Sequence, residues 1–420
     1  MFALLRQRNF ALLWFSGLIT TTGDWLLIIG LPVYIYTTTR SALATSVTLI
    51  VAVIPGLFLS SLAGVFVDRW DRRKTIIVTN FLLAAGLLPL LAVHSIDTLW
   101  IIYVVLFFES CVVQFSSPAE NALLPLLVSE EQLVPANALN SISQNTSRLT
   151  GAALGGLLVG TLGLTSVVLL DMFSFLCVCV MLWLVRLPQE LTRRQRVSDN
   201  VAVVEKNLLR EWLEGMRLIL HVRALTILFI MLALQFFGEG VFSVLLVVFV
   251  EKTLGYGAVV YGALNSMQAV GSILGGTAIG LVGKRFTPAR LIGINTLVFG
   301  IIDLLIINVP LFLPSLLILL CLFILVGIPG TGMRVGINSL FQSLVEDSLR
   351  GRIFGAFSTV QSLMVLLGIG LAGALGGLLG APLMLNIQGS VYALSGLFGL
   401  LTLGRMIGKK LEKQTSGLIV

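Results

Sequence analysis

The chain has 420 residues, of which 57% are hydrophobic and 11% charged, with a formal net charge of +7. Soluble domains carry about 25% charged residues, so this composition excludes a soluble globular protein. It points to one polytopic membrane unit with no room for a separate soluble domain. The positive balance does not mark a nucleic-acid binder. The bases sit in short connections between apolar runs, with no basic groove interleaved with aromatics.

Met1 to Asn9 is short and basic, and the apolar run that follows it, about 10–36, is too long for the core of a cleavable signal peptide. It reads as a first spanning helix. Further apolar stretches of about 20 residues lie near 43–67, 75–94, 98–120, 138–164 and 166–186. The second half adds 224–250, 258–282, 289–308, 311–333, 353–380 and 383–405. The expected fold is all-α, with twelve transmembrane helices. The fifth and sixth meet at Leu164–Thr165, and the ninth and tenth are parted by Asn308-Val-Pro310.

Between the halves, 187–222 is the one long connection. Its polar start (Arg193, Arg194, Arg196, Ser198, Asp199, Asn200) precedes Val204, Leu208, Trp212, Met216 and Ile219 at helical spacing, opposite Glu205, Lys206, Arg210, Glu214 and Arg217. That pattern predicts an amphipathic helix on the inner membrane surface. The domain plan is therefore a six-helix bundle over 1–186, the linker 187–222, a second bundle over 223–408 and a tail over 409–420. Of the odd-numbered connections only those holding Arg40 and Lys252 are basic, and nearly all other bases flank the even-numbered ones and the termini. The positive-inside rule places both termini in the cytoplasm of a cell (inner) membrane protein.

Cys111, Cys177, Cys179 and Cys321 lie within apolar spans, and His94 and His221 are the only histidines. Such scattered ligands hold no metal, and no cofactor is expected. Gly330-Thr-Gly332 lacks the lysine of a phosphate-binding loop, so ATP is not the expected energy source. No clustered nucleophile or acid–base set marks an enzyme, and no sizeable external loop marks a receptor.

Charges inside spans are costly and point to function. Asp24 lies in span 1, Glu109 in span 4, Arg148 in span 5, Glu239 in span 7 and Asp303 in span 9. Glu109 and Arg148 fall at similar depth in adjacent spans and are expected to pair. Polar stripes accompany them: Asn137, Ser141, Gln144 and Arg148 in span 5, Gln235, Glu239 and Ser243 in span 7, and Asn265, Gln268 and Ser272 in span 8. Such stripes predict a water-accessible cavity.

Between spans 2 and 3 stands Gly64-Val-Phe-Val-Asp68-Arg69-Trp70-Asp71-Arg72-Arg73-Lys74, six charges in its last seven residues. A related stretch, Gly280-Leu-Val-Gly-Lys284-Arg285-Phe286-Thr-Pro-Ala-Arg290, recurs in the second half, and Ala153-Leu-Gly-Gly156 recurs as Ala374-Leu-Gly-Gly377. Both point to two six-span repeats. The first stretch resembles the loop between spans 2 and 3 of the major facilitator superfamily, Gly-x-x-x-Asp-Arg/Lys-x-Gly-x-Arg/Lys-Arg/Lys. Gly64, Asp68, Arg69, Arg73 and Lys74 match it, and Asp71 stands where the pattern has its second glycine. The resemblance implies a gating latch: Asp68 against the start of span 11, helped by Arg350 and Arg352 just before that span, and Arg69 or Arg73 against Glu120. Ser147-Arg-Leu-Thr-Gly151-Ala152-Ala-Leu-Gly155-Gly156 resembles the superfamily's exporter-associated Gly-x-x-x-Gly-Pro-x-x-Gly-Gly, which implies close helix packing at Gly151, Gly155 and Gly156.

Pro118-Ala-Glu120-Asn121-Ala-Leu-Leu-Pro125, Ala136-Asn137-Ala-Leu139 and Arg350-Gly-Arg352 look like the branch with macrolide-efflux and enterobactin-exporter proteins. The branch implies a monomeric secondary transporter that exports an amphiphilic small molecule (a drug, macrolide or siderophore) against protons, in contact with lipid and no nucleic acid. A solute importer of the same fold is the alternative. In the family, spans 1, 4, 7 and 10 line the cavity, which makes Asp24, Glu109 and Glu239 the coupling candidates and Asp303 structural. The family's arginine within span 4 is absent, and Arg148 is the expected substitute.

Overall fold

The computed structural model describes residues 2–185, 217, 219, 221, 223–344 and 347–416. Among them are twelve α-helices and no strand: α1 (Arg8–Thr39), α2 (Ala42–Arg69), α3 (Arg72–Gly86), α4 (Trp100–Leu127), α5 (Leu133–Leu162), α6 (Leu164–Leu184), α7 (Arg223–Val248), α8 (Ala258–Val282), α9 (Pro288–Phe312), α10 (Leu316–Leu344), α11 (Asp347–Leu379) and α12 (Ala381–Ser416). Ten of these are long and apolar enough to cross a membrane. The other two, α5 and α8, are helices that carry the Asn, Gln and Ser stripes. The expected helix over 187–222 lies almost wholly outside the described residues. At its end Ile219 is buried among Leu225, Leu228 and Leu232, so that residue packs on protein.

Several ends differ from expectation. The ninth span does not stop at Asn308-Val-Pro310. Pro310 sits inside α9, near its end, where a missing N–H removes a single bond. The stop is Leu313, at φ −127° and ψ 86°, because it precedes Pro314 and a pre-proline residue is driven out of the α region. The fourth span likewise runs on to Leu127, through Pro118 and Pro125.

The chain divides into two compact units, Met1–Val203 with Tyr256–Ser266, and Val204–Gly255 with Met267–Val420. The first half of α8 thus packs with the first unit. In that unit α1 lies on α5 and α6, α2 on α4, and α3 on α4 and α6. The second unit repeats the scheme: α7 lies on α11 and α12, and α9 on α10 and α12, while α8 meets α10 at Gly271 and Gly327. The junctions before the last helix also correspond. Gly163 (φ +78°) separates α5 from α6, and Gly380 (φ +81°) separates α11 from α12. The recurrence of Ala-Leu-Gly-Gly is a weaker guide: Gly156 is tightly enclosed, whereas Gly377 has nothing within 4 Å of where a Cβ would stand.

Lipid gives no hydrophobic reward for helix association, so close backbone approach carries the packing. A Cβ on Gly151 would lie 2.7 Å from the Thr22 carbonyl, and one on Gly155 would lie 2.9 Å from the Leu26 carbonyl. Both glycines seat α5 on α1. Gly156 meets Gly262 of α8, with a Cβ-to-Cα approach of 2.8 Å, inside the first unit. In the second unit Gly368 of α11 meets the Phe237 carbonyl of α7.

Gly163, at φ 78° and ψ −179°, occupies a region open essentially to glycine alone. Gly163→Ala is expected to destabilise the protein by about 1–3 kcal/mol, although the added methyl would touch nothing. Gly17→Ala, equally uncrowded but mid-helix in α1, is expected to be neutral or slightly stabilising. Denaturant unfolding of both in detergent checks this. Equal effects would remove the backbone argument.

Candidate functional site

The charged turn is built by capping. α2 runs through Gly64 and Asp68 to Arg69, Trp70 follows, and Asp71 is the N-cap of α3. Its carboxylate accepts from the Lys74 backbone N–H at 2.9 Å. Asp71 has φ −65°, so where the family pattern has its second glycine no positive φ is needed; the carboxylate does the work of an N-cap.

Arg73 does not reach Glu120. Its Nε donates to the Leu182 carbonyl at 2.7 Å and a terminal nitrogen to that of Trp183 at 2.6 Å. These are last-turn carbonyls of α6, at the helix's negative end; the Leu182 carbonyl also accepts from the Val185 N–H at 3.2 Å. Arg72 donates to the Ala122 carbonyl of α4 at 3.1 Å. The two arginines thus tie the start of α3 to α4 and α6. Arg350 and Arg352 lie inside α11, in its first two turns, and not ahead of it.

Glu120 belongs to a cavity of about 290 Å³ within the first unit. Its walls are Ser16, Thr20 and Asp24 of α1, Asn80 of α3, Ser117, Glu120 and Asn121 of α4, Asn140, Ser143 and Gln144 of α5, and Phe175 and Val178 of α6. Glu120 accepts from Ser116 Oγ at 3.1 Å. Of the expected α5 stripe, Gln144 lines this cavity; Asn137 and Ser141 bond to carbonyls of their own helix. Trp14 closes α1 on α5 by donating to the Leu139 carbonyl at 3.0 Å. Ser147, which replaces the first glycine of the exporter pattern, is fully buried and donates to the Leu18 carbonyl at 2.9 Å.

Four acids of this unit are linked electrostatically through Asp24. Asp24 feels Asp171 and Glu120, Glu109 feels Asp24, and Asp171 feels Glu109. Asp171 is missing from the sequence-derived candidates, although an acid midway along an apolar span is the signal that picks out Asp24. It is fully buried in α6 and accepts from Ser174 Oγ at 3.1 Å. Arg148 stands over the Trp25 ring, 5.3 Å from its centroid, a cation–π arrangement. No group of three metal-ligating side chains occurs among the described residues.

The second unit holds its polar groups differently. Asp303 is buried and accepts from Gln388 Nε2 at 2.8 Å. Gln235 donates to Thr296 Oγ1 at 3.2 Å, and Tyr392 donates to the Gln235 carbonyl at 2.5 Å. Glu239 is exposed beside this network, in range of the Tyr392 hydroxyl.

The architecture and site can be set beside known proteins. The Major Facilitator Superfamily model matches residues 13–369 and 228–417. Macrolide efflux protein A of Streptococcus pyogenes is 25% identical over 371 residues, 86% of this chain and 87% of that protein. The staphyloferrin A transporter of Staphylococcus aureus is 21% identical, covering 80% and 82%. Among solved structures, a mutant of the nucleoside transporter NupG superposes with TM-score 0.75 at 12% identity, covering 94% of this chain and 99% of that one. A bacterial homologue of the iron transporter ferroportin, inward-facing, gives 0.71 at 15% identity, with coverages of 95% and 98%. This chain belongs to the Major Facilitator Superfamily: it is a multi-pass membrane transporter of small molecules and not an enzyme.

Proposed function

We propose that this transporter exports an amphiphilic small molecule by alternating access, driven by protons moving inward. One observation carries the reading: a polar cavity containing Asp24 and Glu120 inside a bundle of otherwise apolar helices. Carboxylates are placed there at a cost that hydrocarbon makes steep, and an acid that alternates between charged and neutral is a means of moving a proton. Its 290 Å³ is at the small end of ligand pockets, roughly 300–1,000 Å³. It suits water, a proton and one polar end of a substrate. Export and the substrate class are carried over from the relatives, one named for macrolide efflux and another for staphyloferrin A. Asp24 is the first coupling candidate; Glu109 and Glu239 follow, and Arg148 is the compensating charge.

Asp24→Asn is expected to abolish proton-driven substrate movement in sealed vesicles and to spare downhill exchange. One proton crossing 100 mV supplies about 2.3 kcal/mol, so its loss lowers the attainable gradient by about 50-fold. Glu239→Gln in the same vesicles serves as the comparison. Full proton-driven transport by both would clear both acids and leave Glu109.

The orientation we propose puts both termini and the α2–α3 turn in the cytoplasm. A cysteine replacing Lys74 should resist a membrane-impermeant maleimide added to intact cells, while one replacing Ser95, between α3 and α4, should react. The reverse pattern would invert the topology.

A further inference from the structure

Gly23 and Gly238 occupy matching places in the two units. Each faces the last helix of its unit, and each is followed by an acid, Asp24 or Glu239. A Cβ on Gly238 would lie 2.5 Å from the Tyr392 ring. A Cβ on Gly23 would collide with the Asp171 carboxylate and come within 2.5 Å of Ser174 Oγ. In the first unit, therefore, the absence of a side chain lets an acid of α6 press on the α1 backbone one residue from Asp24. One oxygen of Asp171, Oδ1, accepts from Ser174. The other, Oδ2, is buried with no hydrogen-bond partner, and the Thr20 hydroxyl, on the cavity wall one turn before Asp24, is likewise buried and unsatisfied.

We propose that Asp171 and Asp24 form one acid pair that holds a single shared proton, and that this pair is the proton-carrying site of the transporter. The inference rests on the proton-coupled reading above and adds Asp171 to it. Two carboxylates in electrostatic range of each other, one of them fully buried, are not both ionised at tolerable cost; one proton leaves a single negative charge between them. A proton arriving from one aqueous side forms one O–H bond within the pair and leaves it a single charge; it departs to the other side when water or a cationic end of the substrate entering the cavity offsets the second charge. The charged groups around the pair are Glu109 and Glu120 on α4, with Arg148 on α5 over the Trp25 ring. α3 presents the uncharged Asn80 to the cavity. The second unit fills the matching place with the Tyr392 ring, so the pair belongs to the first unit alone.

The test uses the full chain in lipid vesicles and a hydrophobic carbodiimide, which modifies protonated but not ionised carboxyls. Peptide mass spectrometry should find the adduct on Asp24 or on Asp171, never on both in one chain. In transport, Asp171→Asn should lose proton-driven movement and keep downhill exchange, and the double change with Asp24→Asn should be no worse than either single one. Absence of adduct on both acids, adducts on both in one chain, or wild-type proton-driven transport by Asp171→Asn would overturn the pair. The labelling needs no variant, so it decides the matter even where Asp171→Asn fails to insert. A single adduct in a protein that moves no substrate against a proton gradient would uphold the pair and sink the proton-coupled reading.

Discussion

The packing of α1 is the constraint from which the rest of the first unit follows. In lipid, helices are held by backbone approach and not by the burial of apolar surface. Here α1 presents its carbonyls to Gly151 and Gly155 on α5 and its own Gly23 to α6. Three positions without side chains thus fix one helix against two neighbours. The same contacts decide what the bundle encloses: Asp24 and Thr20 on the cavity wall, and Asp171, with Ser174 donating to it, against the α1 backbone at Gly23. A larger residue at Gly23 would displace a carboxylate.

The two units show how a repeated scaffold diverges. Helix pairing recurs, as do the single-glycine junctions at Gly163 and Gly380, because each unit must close six helices with very short connections. Chemistry does not recur. The first unit gathers acids around a cavity, whereas the second ties its buried acid, Asp303, to Gln388 and backs Glu239 with a tyrosine ring. The basic turn after α2 has also been put to structural use, since Arg72 and Arg73 bind carbonyls of α4 and α6.

Much of this was legible in the residues. Apolar runs of spanning length specify twelve helices because hydrocarbon tolerates no unsatisfied backbone. Ends were less legible where two prolines compete: Pro310 lies within α9 and Pro314 ends it, a distinction set by which residue loses the helical region. Glu120 reads as a partner of the loop because it lies at the end of the predicted fourth span, whereas its direction around α4 turns it into the cavity. Asp171 was readable as an acid within an apolar span. Its juxtaposition with Asp24 was not, since it depends on α6 meeting α1 at a glycine and no spacing along the chain encodes that contact.

In the proposed proton-coupled export, substrate and protons move in opposite directions. The direct measurement places the protein in vesicles with an internal pH dye and no imposed gradient, then adds a macrolide outside, with protein-free vesicles as the baseline. Substrate entering down its own gradient should drive protons out and make the interior more alkaline than the baseline. Substrate entry with no protein-dependent pH change, or with acidification, would contradict proton-coupled export.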